Sequence, residues 1–225
     1  GVMWIPNNPY MTKAGVPDSL EAAVQYLDAV VGDHNDTPGA SKARRRAFLE
    51  EGPKMLDFLI DKGLKFSRIT SWPDYYDEAP GGSVPGRTVV ADLFDANELG
   101  EAKKLLRPNF LTLPVSLEDA LKLPHVKKSW AAKKALVRMG LRIVGSKLTG
   151  KNYVTAGAAL QGRMMQAAIK VGAELRVDSA VKELIFEDGR VAGVVAEKNG
   201  KPHRVGAKLG VLVNAGGFAL NQAMR

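Results

Sequence analysis

The stretch Leu209-Gly-Val-Leu-Val213 is continuously apolar and runs straight into Asn214-Ala-Gly-Gly217. An apolar run of that length fits a central strand buried on both faces of a sheet. Small residues at its carboxyl end, Ala215, Gly216 and Gly217, let another backbone or a ligand approach closely, and ligands of open α/β sheets collect at the carboxyl ends of strands. The other reading of these residues is a glycine-rich turn leading to a helix at Leu220. Four further strand candidates lie upstream, at 173–177, 181–187, 190–197 and 202–205. Asp188-Gly189 and Asn199-Gly200 are tight-hairpin pairs whose positive φ matches strand twist, so the middle three candidates are predicted to form an antiparallel meander. The fold class expected is α/β, with an α+β portion.

Helical signals dominate the first half. Asp18-Ser19-Leu20-Glu21 offers capping oxygens followed by an acidic first turn, which predicts a helix to about Val31 ended by Gly32. A second helix is expected over residues 40–62, with Phe48, Met55, Leu56 and Leu59 on one side and Gly52-Pro53 bending it or starting a new helix. Residues 70–87 are rich in Pro and Gly and carry no periodicity, which marks a long loop. Trp72, Tyr75 and Tyr76 within it need something to pack on, so the loop is expected to be ordered. A third helix is read over 158–171, ended by Gly172.

Charge is concentrated. The chain carries 32 Lys and Arg against 24 Asp and Glu, a net +8, yet residues 102–151 hold twelve basic and two acidic residues, or +10. The rest, with 20 basic and 22 acidic residues, nets −2 and has no electrostatic reason to seek phosphate. Within the basic segment Val126, Trp130, Val137, Leu141, Val144 and Leu148 form an apolar helical stripe beside Lys127, Lys134 and Arg138. The first reading is a helix packed on its own core with a solvated lysine face. The second is peripheral contact with an anionic membrane through residues 126–148. Nucleic acid comes third and is not expected, because interleaved aromatics that would stack on bases are lacking.

No cysteine is present, which excludes disulfides, thiolate metal sites and a cysteine nucleophile and fits a cytoplasmic setting. No metal is proposed, since His34, His125 and His203 have no partner at ligand spacing. No secretory leader is visible and the longest apolar stretch, 209–220, is too short to span a bilayer. Nor does any Gly-x-Gly occur, so the fingerprint that holds a dinucleotide pyrophosphate is not in these residues.

Trp4-Ile-Pro-Asn-Asn8, Trp72-Pro-Asp-Tyr-Tyr76 with Gly81-Gly82 and Gly86-Arg87, Gly157-Ala-Ala-Leu160, Asp188-Gly-Arg-Val-Ala-Gly-Val194 and Ala215-Gly-Gly217 occur in an order that resembles FAD-dependent 3-ketosteroid Δ1-dehydrogenases. These belong to the fumarate reductase/succinate dehydrogenase flavoprotein superfamily. The resemblance covers essentially all 225 residues and implies the middle part of a Rossmann-like FAD-binding domain: a helical part (1–100) with an active-site loop (70–87), a basic helical insertion (101–151), then helix, meander and Gly-Gly strand end (152–225). It implies that the N-terminal FAD fingerprint and the catalytic cap lie outside this stretch, so that these residues alone neither retain FAD nor turn over steroid.

Residue by residue, the resemblance implies FAD contacts at Gly1 and Val2 beside the flavin, at Ala180 and Val181 near the adenine, and at Ala215, Gly216 and Gly217 beside the diphosphate and ribityl chain. Asn214 departs from the small apolar residue usual there. Tyr75 matches an active-site tyrosine that would hydrogen-bond a second, proton-abstracting tyrosine; read from the residues alone, Tyr75 packs the loop. The implied partners are a steroid substrate and an external electron acceptor. Alternatives left open are a related flavoenzyme acting on another enone or a dicarboxylate, and a basic module that binds membrane or nucleic acid.

Overall fold

Side-chain caps start nearly every helix in the computed structural model, which describes residues 1–32, 39–108, 114–217, 219 and 221–224. Two units are present, Gly1–Ala173 and Glu174–Arg225. The first runs through β1 (Val2–Trp4), α1 (Pro9–Lys13), α2 (Leu20–Val31), α3 (Lys42–Asp61), β2 (Phe66–Arg68), β3 (Thr88–Ala91) and β4 (Phe94–Asp95). A 3-10 stretch, Ala96–Leu105, precedes α4 (Leu117–Lys122), a 3-10 turn at Leu123–His125, α5 (Trp130–Thr149), β5 (Tyr153–Val154) and α6 (Ala156–Lys170). Asn8, Ser19, Ser41, Ser116 and Ser129 cap α1 to α5 by accepting backbone N–H bonds.

β3 is the middle strand of a three-stranded sheet, antiparallel to β1 (Val2 opposite Val90) and to β2 (Ser67 opposite Val90). All four residues of β3 are buried. β4 and β5 form a separate pair. Ile5, Leu56, Leu59, Phe66, Val89 and Phe94 make the core, which Ala159 of α6 joins. At Gly162 of α6 a Cβ would stand 2.7 Å from the Phe94 ring, so α6 sits as close to β4 as backbone allows.

The second unit is a meander, β6 (Ala180–Glu187), β7 (Arg190–Lys198) and β8 (Lys201–Gly206), in the order β6-β7-β8. The turns between them have φ of 48° and 76° at Asp188 and Gly189, and 52° and 71° at Asn199 and Gly200, as that sequence chemistry requires.

Several expectations are corrected. Residues 209–213 are not a strand buried on both faces: Leu209, Leu212 and Val213 are 104%, 91% and 70% exposed, because no described strand pairs with this backbone. Residues 173–177 form no strand either. Every strand pairing among the described residues is antiparallel. No new helix starts at Pro53, which sits inside α3; burial of Leu49, Leu56 and Leu59 outweighs the one hydrogen bond proline removes. Phe48 and Met55 are half-exposed at the edge of that side, with Phe48 stacked on Trp4. The apolar stripe of α5 does not pack on the core; Ala132 and Ala135 do, and Trp130, Val137, Leu141, Val144 and Leu148 face outward. His34 and Leu220 lie outside the described residues.

Candidate active site

The loop between β2 and β3 is held by charge. Arg87, at the end of the loop, donates from Nη1 to Asp74 (2.9 Å) and from Nε and Nη2 to Asp18 (3.0 and 2.7 Å). The side chains of Arg87, Asp18 and Asp74 are 1%, 3% and 0% exposed. An arginine fork serving two buried carboxylates is the arrangement that compensates their desolvation. Asp74 accepts two more bonds, from Trp4 Nε1 at 2.6 Å and from the Ser83 amide at 3.1 Å. The loop is thereby closed on itself and fastened to β1. Its other end is tied to α4, where the Thr70 amide and hydroxyl both donate to Glu118 (3.2 and 2.9 Å).

The Trp4-Ile-Pro-Asn-Asn8 motif belongs to the same construction. Asn8, fully buried, donates to the carbonyls of Ile5 (2.7 Å) and Arg87 (3.3 Å) while its Oδ1 caps α1. Asn7, with φ 54°, gives its amide to Asp18 at 2.7 Å. Trp4 stacks on Phe48 (centroids 6.2 Å, planes 4° apart) and tilts against Tyr26 at 5.6 Å. The Tyr26 hydroxyl accepts from the Tyr76 amide at 3.2 Å; burial pushes this phenol upward in pKa, opposed by that same amide.

These anchors leave a pocket of about 330 Å³ between α2, β1 and the loop. Val2, Trp4, Tyr26, Leu27, Val30, Trp72, Pro73, Tyr75 and Tyr76 supply its wall, with Asp74 and Thr88 as its polar lining residues. No Lys or Arg lines it among the described residues. The size and apolar character are those of a small-molecule site. Two residues singled out in the sequence, Val2 and Tyr75, meet here. Tyr75 is 83% exposed and its hydroxyl makes no hydrogen bond among the described residues.

Gly1 lies against the start of α6: a Cβ on Gly1 would stand 2.6 Å from the Gly157 nitrogen and overlap its Cα. Ala180 and Val181 open β6, with Val181 58% exposed. Residues 215–217 are exposed and irregular; Gly216 has φ 76°, and nothing lies within 4 Å of where a Cβ would stand on Gly216 or Gly217. Main chain that is open and free of side chains fits a group gripped through backbone amides, as the FAD diphosphate would be. Gly1 and Val2 belong to the first unit and the other five to the second. The sequence reading missed Trp4, Tyr26 and the Asp18–Arg87–Asp74 cluster. Asp18 had been legible only as a helix-start residue.

Residues 1–225 match the FAD binding domain family. The chain is 33% identical to a 3-oxosteroid 1-dehydrogenase of Mycolicibacterium smegmatis, over all of this chain and 40% of that protein. It is 30% identical to a 4-oxocyclohex-2-ene-1-carboxylate 5-dehydrogenase of Sinomonas cyclohexanicum, over 100% of this chain and 38% of the relative. Its structure is similar to the crystal structure of 3-ketosteroid Δ1-dehydrogenase from Sterolibacterium denitrificans in complex with 1,4-androstadiene-3,17-dione. The TM-score is 0.86 at 27% identity, covering 100% of this chain and 41% of that one. The chain thus spans about two fifths of the length of these relatives.

Proposed function

From the premise that the chain belongs to the FAD binding domain family along all 225 residues, we propose that it is the middle part of the Rossmann-like FAD-binding domain of a longer oxidoreductase that introduces a C1–C2 double bond into 3-ketosteroids. The observation that supports this reading is the apolar pocket in which Val2 and Tyr75 meet. Fused aliphatic rings need an apolar, water-excluding wall with few polar groups. A carboxylated ring would need a cation, and no Lys or Arg among the described residues lines this pocket.

The family's cofactor is FAD. When bound, it supplies the hydride acceptor for desaturation beside a ketone. Gly1 and Val2 would hold its flavin end, Ala180 and Val181 its adenine end, and Ala215, Gly216 and Gly217 its diphosphate and ribityl chain. Trp4, Tyr26 and Trp72 line the pocket and exclude water from the steroid rings. Tyr75, whose hydroxyl is free among the described residues, donates to a second tyrosine outside these residues that takes the C2 proton. A hydrogen bond given to a tyrosinate favours its ionised form, so Tyr75 positions and acidifies the base. An external electron acceptor completes the turnover, and peripheral membrane contact through residues 126–148, in the cytoplasm, is the remaining partner of this reading.

The test is Tyr75→Phe in the full-length enzyme. Turnover should fall by about tenfold or more with FAD content unchanged, and the rising limb of the pH–rate profile should move to higher pH because the base has lost a hydrogen-bond donor. Wild-type turnover and an unmoved profile would remove Tyr75 from the mechanism.

A further inference from the structure

Tyr75 stands between two anchored neighbours. On one side Asp74 is bound across the loop in both directions, its amide donating to the Ser83 carbonyl (3.0 Å) and its carboxylate accepting from the Ser83 amide (3.1 Å). The same carboxylate takes the bonds from Trp4 and Arg87. On the other side the Tyr76 amide donates to the Tyr26 hydroxyl at 3.2 Å. The Tyr76 carbonyl then accepts from the Ala79 amide (2.9 Å), and the Ala79 carbonyl from the Gly82 amide (2.8 Å). The chain is fixed before and after Tyr75, while Tyr75 itself stays exposed.

The two anchors differ in kind. Asp74 belongs to the buried ion cluster that also ties in Asp18 and β1, so losing it is losing part of the fold. Tyr26 is buried on α2 with its ring against Trp4, and its hydroxyl serves the loop. Beside that hydroxyl the loop rests directly on the helix: Gly81 has φ 76°, and a Cβ there would stand 2.1 Å from the Ala22 carbonyl oxygen and 2.8 Å from the Tyr26 nitrogen. Only glycine fits that seat. The turn of α2 from Ala22 to Tyr26 is the surface against which the loop is set, and the Tyr26 hydroxyl carries that setting to the residue next to Tyr75.

We propose that Tyr26 is a positioning residue for the reaction: by accepting the Tyr76 amide it fixes the backbone that carries Tyr75, so that the Tyr75 hydroxyl is held ready for the second tyrosine. This rests on the role given to Tyr75 under the proposed function. A group that must meet another at hydrogen-bond distance acts best from a backbone ordered before substrate arrives, and a misplacement of about 1 Å can cost about a hundredfold in rate. Burial pushes the Tyr26 phenol upward in pKa against the opposing pull of the Tyr76 amide. Tyr26 therefore stays a neutral phenol and is not itself the proton-abstracting base.

Tyr26→Phe in the full-length enzyme removes the acceptor and keeps the ring against Trp4. Its kcat should fall about tenfold while KM changes less than about twofold. FAD content should hold, and the rising limb of the pH–rate profile should move to higher pH, as for Tyr75→Phe. Tyr26→Phe/Tyr75→Phe should turn over no more slowly than Tyr75→Phe alone, because a hydroxyl already removed cannot be misplaced. Gly81→Ala leaves the Tyr26 hydroxyl intact and lifts the loop from α2; it should give the same fall and the same non-additivity, and it serves as the test should Tyr26→Phe fail to fold. The proposal alone is overturned if Tyr75→Phe is slow while Tyr26→Phe keeps wild-type turnover and profile, if Tyr26→Phe raises KM with kcat unchanged, or if the two single losses multiply in the double variant. Wild-type turnover in Tyr75→Phe overturns the role of Tyr75 and, with it, that of Tyr26.

Discussion

Arg87 is the residue on which the pocket depends. It is 1% exposed, and its guanidinium answers two carboxylates that are themselves buried. Arg87→Ala leaves Asp18 and Asp74 without a counter-charge, and a loss of about 3–5 kcal/mol in unfolding free energy is expected, to be measured by urea denaturation. Arg87→Lys should recover only part of it, because an ammonium cannot present the fork that reaches both partners. None of this could be read locally. Asp18 stands where a helix begins, yet Ser19 makes the cap, accepting from the Ala22 amide at 3.1 Å. Asp18 gives its oxygens instead to an arginine 69 positions away, and a pair so distant leaves no periodicity in a sequence. Tyr75 was likewise visible only through resemblance, since an exposed tyrosine in a Pro-rich loop carries no pattern of its own.

At the scale of elements, the contact between α4 and α5 is set by Asp119. Burial pushes its carboxyl upward, but the hydrogen bond and charge of Arg138, with Ser116 and Arg142, hold it below the ordinary 3.8. A carboxylate held low in the folded state stabilises fully above its unfolded pKa and loses that contribution as pH falls through the folded value. The protection of the amides of 117–125, taken relative to their intrinsic exchange at each pH, should therefore fall as pH drops below about 4. Asp119→Asn should show the lower protection already at neutral pH, with no further loss of protection on acidification. Elements with strong turn or cap chemistry, α2, α6 and the meander, were legible in the sequence. Strands β2 to β5, of two to four residues, are too short to show alternation. The α5 stripe was legible as a stripe but not in its direction, because Ala132 and Ala135 are small enough to let the helix approach by its other side.

Across the whole molecule, regular structure is concentrated where both faces of an element find partners. β7, hydrogen-bonded on both edges, and residues 209–217, hydrogen-bonded on neither, are the extremes of the second unit. In the 225-residue chain the amides of 211–217 should exchange at close to the free rate while those of 193–196 are protected; slow exchange at 211–217 would show that this strand-like run has a backbone partner. The apolar composition of 209–213 was a true signal of strand propensity, but a strand is a property of a pair, and composition names only one member. The two bonds from Thr70 to Glu118 carry a consequence of another kind. They join the loop that walls the pocket to the α4–α5 helix pair, so ordering of the one bears on ordering of the other. If a ligand that stills the loop favours one arrangement of α4 and α5, then by reciprocity whatever holds that arrangement must favour the ligand by the same factor, and Glu118→Gln is the change that would uncouple them.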